Sequence, residues 1–154
     1  MATTQHAPAH AAGSILAFDF GTRRIGVAVG EYSTGLAHPL TTIAAERKDA
    51  RFAAIAKLID EWRPSLLVVG IPVHADGSEH ALTSIARRFA RQLEGRYGLP
   101  VALADERYTT RSASTALSAA DVPAKDQRGA RDQVAAQLIL QTYLEQQRER
   151  ARTA

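Results

Sequence analysis

Short apolar runs along the chain alternate with stretches whose apolar residues recur every three or four positions, and glycine, proline or polar clusters separate them. Ile15–Phe20 (ILAFDF) and Ile25–Val29 (IGVAV) have strand length and are joined through Gly21 and Thr22, so two strands linked by a tight connection are expected. His38–Ile43 is expected as a third strand. In Ala50–Trp62, residues Phe52, Ile55, Ala56, Leu58 and Ile59 gather on one helical face, and Pro64 ends the pattern. Ser65–Gly70 (SLLVVG) is continuously apolar, as a strand buried on both faces must be. A helix is expected over Glu79–Tyr97, closed by Gly98, Leu99 and Pro100, with a further short strand over Val101–Ala104. Thr110 is placed to cap a short helix reaching Ala120. After the turn-rich stretch Asp121–Gly129, an amphipathic helix is expected over Ala130–Arg148.

The resulting order, β-β-β-α-β-α-β-α-α, is an antiparallel meander followed by strand–helix alternation. Crossover connections make the later strands parallel, so the expected fold class is α/β, one mixed sheet with helices on both faces. The 154 residues, 45% of them hydrophobic, suit a single core. Residues 1–13 lack periodicity and are expected to be a disordered arm; the domain is expected over 14–145, and a basic tail over 146–154. There is no apolar run of about 18 residues and no signal-peptide pattern, which points to a soluble cytoplasmic protein without a membrane partner. The absence of cysteine excludes a disulfide framework, thiolate-bound zinc and a cysteine nucleophile.

The net charge of +3 is unevenly distributed. Residues 1–77 hold seven basic and seven acidic side chains, and residues 78–154 hold twelve and nine, so the whole excess lies in the second half. Three carboxylate positions interrupt apolar surroundings where an unpaired charge is costly. Asp19 lies near the end of the first strand. Asp105 and Glu106 follow the last strand, and alternation lets only one of them face a given side. Asp132 stands in line with Ala135, Ala136, Ile139, Leu140 and Tyr143, the face that should pack on the sheet. If these elements converge, carboxylate repulsion calls for a hard divalent cation, and oxygen-only ligands suit Mg²⁺ or Mn²⁺. A pair of such ions about 4 Å apart supports phosphodiester cleavage. Each carboxylate also has an ordinary structural role open to it: accepting from the Gly21–Thr22 turn, pairing with Arg107, or favouring a helix N-terminus. The dinucleotide and P-loop glycine patterns, paired histidines and a nucleophile elbow are all absent.

Four blocks carry a resemblance. They are Ala17–Gly30 (AFDFGTRRIGVAVG), Val69–Glu79 (VGIPVHADGSE), Asp105–Thr110 (DERYTT) and Asp132–Gln141 (DQVAAQLILQ). Together they resemble the YqgF family, bacterial proteins linked to Holliday junction resolution and to pre-16S rRNA maturation. The resemblance spans Ser14 to Leu144 and implies an RNase H-like fold with a five-stranded mixed sheet. It implies catalytic, metal-holding roles for Asp19, Glu106 (rather than Asp105) and Asp132, with one or two Mg²⁺ or Mn²⁺ ions. It further implies a nuclease acting on structured nucleic acid, either the immature 5′ end of 16S rRNA or branched DNA, as a monomer or weak homodimer. Thr22, Arg23, Arg24, Arg107, Thr109, Thr110 and Arg128 flank the carboxylates and are expected to hold phosphates. His74 departs from the family's usual asparagine, and Arg131 is also unusual before Asp132.

Two other classes fit parts of the pattern. A nucleic-acid-binding module in ribosome maturation or transcription needs no metal. The Asp19-x-Gly-Thr pattern also looks like the phosphate loop of the sugar kinase and actin ATPases, which close two such domains around ATP.

Overall fold

A computed structural model describes residues 13–44, 46–74, 76–79, 81–106 and 124–153, with backbone alone over 124–128. Five strands form one sheet in the order β3-β2-β1-β4-β5. They are β1 (Ser14–Asp19), β2 (Arg24–Glu31), β3 (Leu36–Ala44), β4 (Leu66–Ile71) and β5 (Val101–Asp105). β1 pairs antiparallel with β2, and β2 with β3, while β1–β4 and β4–β5 are parallel. This is the meander followed by crossovers that the apolar runs predict. β4 is an interior strand, flanked by β1 and β5, and buried throughout, which explains its uninterrupted apolar sequence.

The period-two alternation of the strands builds two cores. Leu16, Phe18 and Phe20 of the first strand and its exit pack with Ile25, Val27, Leu67 and Val69 beneath α1 (Lys48–Trp62) and α2 (Ala81–Tyr97). There Phe89 of α2 meets the rings of Phe18, Phe20 and Phe52. The opposite face presents Ile15, Ala17, Leu66 and Val68 to Ile139, Leu140, Tyr143 and Leu144 of α3 (Ala124–Thr153). Glycine and alanine dominate β2 on that side at positions 26, 28 and 30, and α3 therefore approaches closely. A Cβ added at Gly30 would stand 2.9 Å from a Leu140 methyl.

Helix ends are where the pattern and the structure differ. α3 begins at Ala124 and continues to Thr153, beyond both ends of the expected Ala130–Arg148. Gly129 reads as a breaker, yet an isolated glycine costs a helix only about 1 kcal/mol, and the Gly129 carbonyl accepts a 2.8 Å hydrogen bond from Thr42 Oγ1. Residues 146–153 continue this helix. Asp132 consequently sits in the third turn of α3, not at its start, so a helix-terminus role for it does not apply. α1 ends on Arg63, whose left-handed φ of 47° lets its N–H donate to the Ile59 carbonyl. The arm expected over 1–13, apart from Gly13, and the short helix expected after Thr110 lie outside the described residues.

Candidate active site

At the carboxyl ends of the parallel strands a cavity of about 400 Å³ is lined by Asp19, Phe20, Gly21, Thr22, Arg23, Arg24, Pro72, Leu82, Glu106 and Asp132. Three separate devices bring the carboxylates there. Asp19 is the last residue of β1 and shares the α3-facing parity of Ile15 and Ala17. Glu106 follows β5 with the parity of Ala102 and Ala104, so it turns to the same face and is buried, whereas Asp105 points the other way and is exposed. The Glu106 N–H donates to the Ile71 carbonyl at 3.1 Å, which carries the parallel ladder one residue beyond β5. Asp132 arrives from above, on the sheet-facing side of α3.

Two glycines make the convergence possible. Gly26 is the register partner of Asp19, and a Cβ there would lie 1.9 Å from the Asp132 carbonyl oxygen. Gly70, on the strand between Asp19 and Glu106, leaves room for Glu106: a Cβ would meet its Oε2 at 2.7 Å and Ile139 Cδ1 at 2.4 Å. Reading the glycines only as nucleotide-loop candidates misses both positions. A glycine inside a strand pattern, such as that ending SLLVVG, is itself the signal for a close approach by another segment.

The electrostatics are those of crowded acids. Burial pushes the Asp19 carboxyl up to about 6; a side-chain hydrogen bond with Glu106 opposes the rise, and the charge of Asp132 adds to it. A hydrogen bond between two carboxyls requires one proton between them. Asp132 is neutralised differently, accepting from Arg24 Nε at 2.6 Å in a half-buried ion pair. Among the described residues no three carboxylate or imidazole side chains are gathered closely enough to hold a metal ion. The donor set nevertheless fits a hard divalent cation in kind: every candidate ligand is a carboxylate oxygen, and the Asp19–Glu106 pair is short of positive charge.

Of the residues expected to hold phosphates, Thr22 and Arg23 are exposed at the cavity, and Arg23 lies 3.8 Å from Glu46. Arg24 lines the cavity but is engaged by Asp132. Arg107, Thr109, Thr110 and the side chain of Arg128 lie outside the described residues. His74 is exposed, and its backbone closes a turn with Gly77 and Ser78.

An antiparallel meander continued by parallel strands, in one five-stranded mixed sheet, is the RNase H-like fold. The chain belongs to the RuvX family, whose model, described as Holliday junction resolvase, matches residues 13–146 and answers to the resemblance carried by the sequence blocks. A Nitrosomonas europaea protein named "Putative pre-16S rRNA nuclease" is 59% identical over 133 residues, which cover 86% of this chain and 90% of that protein. The fold is shared with Thermus thermophilus RuvC, solved with a Holliday junction substrate (TM-score 0.53, 13% identity, covering 87% of this chain and 95% of that one). It is shared also with the fowlpox virus resolvase, solved with Holliday junction DNA (TM-score 0.55, 10% identity, covering 86% and 97%).

Proposed function

We propose that the chain is a divalent-metal-dependent endonuclease that processes the 5′ end of pre-16S rRNA in ribosome biogenesis, acting in the cytoplasm as a monomer or weak homodimer. The observation that carries this reading is the convergence of Asp19, Glu106 and Asp132 in one cavity of a nuclease-family fold. In it, Asp19 and Glu106 bind one or two Mg²⁺ or Mn²⁺ ions and Asp132 completes the set. When bound, the metal supplies activation of water and charge stabilisation at the leaving oxygen. Asp19 and Glu106 would hold the ion as carboxylates, without the proton they share in its absence, and Gly26 and Gly70 leave the room that Asp132 and Glu106 occupy at the site. Arg23, Thr22 and the released Arg24 orient the phosphate next to the scissile bond, reading backbone rather than base. Arg107, Thr109, Thr110 and Arg128 are assigned to the same task by their places in the sequence.

The relatives' name favours RNA, while the family model's description favours branched DNA as a second reading. Symmetric resolution of a four-way junction needs two active sites, hence a dimer. A 5′-extended 16S rRNA precursor and a four-way DNA junction, offered in parallel with Mg²⁺, separate the two: cutting of the RNA alone is expected, and cutting of the junction alone favours resolution. Salt-sensitive binding of either without cutting, in a protein that needs no metal, supports a non-catalytic module instead.

A further inference from the structure

Phe20 is a wall shared by two depressions. On one side lies the carboxylate cavity; on the other, a smaller pocket of about 180 Å³ is lined by Lys48, Arg51, Ile85, Arg88, Phe89 and Gln92. Among its described lining residues three are cationic and none is acidic. Lys48 continues into a third depression, of about 930 Å³, where Arg47 and Arg96 stand with a single acid, Asp49. That acid is engaged by Arg47 at 3.1 Å. Among the described residues neither Lys48 nor Arg88 forms an ion pair, and both are exposed.

Concentrating like charges this way works against folding unless an anion repays it. Lys48 also opens α1, where the helix field disfavours a cation and favours an anion. Two guanidiniums along the path are held on aromatic faces: Arg51 lies 5.3 Å from the Phe20 ring centre and Arg96 lies 3.9 Å from that of Phe52. Stacking fixes their planes before any ligand arrives, so less side-chain freedom is lost on binding. Ile85, 42% exposed at the rim, offers an apolar contact of the kind a sugar or base takes.

We infer that Lys48, Arg51 and Arg88, continued by Arg47 and Arg96, form a phosphate track that carries the phosphodiester backbone of the nucleic acid away from the carboxylate cavity across the start of α1. The ligand is a sugar–phosphodiester backbone, common to RNA and DNA, held without base readout. The inference deepens the nuclease reading and rests on it for the direction in which the strand runs.

The test is fluorescence anisotropy of the full chain with a labelled RNA hairpin bearing a 5′ single-stranded extension, in EDTA, over a series of salt concentrations. Lys48→Gln/Arg88→Gln changes two exposed side chains and leaves the core intact. It is expected to weaken binding about tenfold at moderate salt and to flatten the slope of log affinity against log salt by about 1.5, from two lost phosphate contacts. The charge-matched control Arg150→Gln/Arg152→Gln, near the far end of α3, is expected to bind like wild type. Equal affinity and slope in the track variant, an equal loss in both variants, or no binding by wild type overturns the track. A selective loss in the track variant, with wild type cutting neither RNA nor DNA, leaves the track standing and removes the nuclease reading. Metal-dependent cutting by wild type with no selective loss does the reverse.

Discussion

Arg24 and Asp132, 108 positions apart in the chain, meet in a 2.6 Å ion pair inside the carboxylate cavity. The guanidinium occupies an oxygen that the proposed ligand set needs, so it acts as an internal counter-ion for the metal-free protein. Arg24→Ala is expected to raise Mn²⁺ affinity of the free protein severalfold, measured by calorimetry. It should also lower metal-free stability by about 1 kcal/mol, because Asp132 loses a half-buried, charge-assisted partner. Unchanged or weaker Mn²⁺ binding contradicts this role for Arg24.

The glycine clearances give a second prediction. A methyl group at position 26 meets the Asp132 backbone, which cannot move without α3, whereas at position 70 it meets the ends of the Ile139 and Glu106 side chains. Gly26→Ala is therefore expected to cost about 3 kcal/mol and Gly70→Ala about 1–2 kcal/mol in urea unfolding. Both should lose cleavage. Equal costs, or full activity with Gly26→Ala, would mean that α3 does not depend on that close approach.

The pH dependence of stability follows from Asp19. Its carboxyl titrates at about 6 in the folded protein against 3.8 ordinarily, so between those values the native state holds a proton that the unfolded chain has released. Stability therefore falls as pH rises through that window, and leaving Asp19 ionised costs on the order of 3 kcal/mol above it. Asp19→Asn removes this contribution. Urea titrations in EDTA at pH 4.5 and 7.5 should show a smaller loss in the variant, which should be the more stable protein at pH 7.5. Parallel profiles would show that Asp19 is not the group responsible.

Asp105 and Glu106 make a matched pair for a fourth prediction. They are adjacent acids, one exposed and one buried in the cavity. Glu106→Gln is expected to reduce cleavage by at least about 100-fold, as loss of a carboxylate that would hold the activating cation does, and Asp105→Asn by less than threefold. Single-turnover rates on the RNA precursor decide it.

That pair also marks what the sequence displays and what it conceals. The strands were legible because each buries a continuous or alternating apolar run, and β4 above all because both of its faces are covered. Asp132 could be placed on the sheet side of its helix from Ala135, Ala136, Ile139 and Leu140 alone. Alternation by itself could not choose between Asp105 and Glu106. The choice comes from parity with Ala102 and Ala104, whose side of the sheet is known only once α3 is seen to pack there. The Arg24–Asp132 pair was hidden for a related reason: Arg24 reads as a phosphate contact from its neighbours, and its partner comes from another element. The ends of α3 were concealed because local propensity marks Gly129 as a stop, while packing against β2 and β3 keeps the helix going. The stacking of Arg51 on Phe20 had no local signal at all.

The central claim is that Asp19 is part of a metal-dependent cutting site. The most direct measurement is cleavage of a 5′-extended 16S rRNA precursor by wild type and Asp19→Asn, each with Mg²⁺, Mn²⁺ or EDTA, alongside RNA binding and urea unfolding of both proteins. The account predicts cutting by wild type only with metal, none by Asp19→Asn, and retained fold and RNA binding in the variant. Undiminished cutting by a folded Asp19→Asn protein, or wild-type cutting that persists in EDTA, would contradict it.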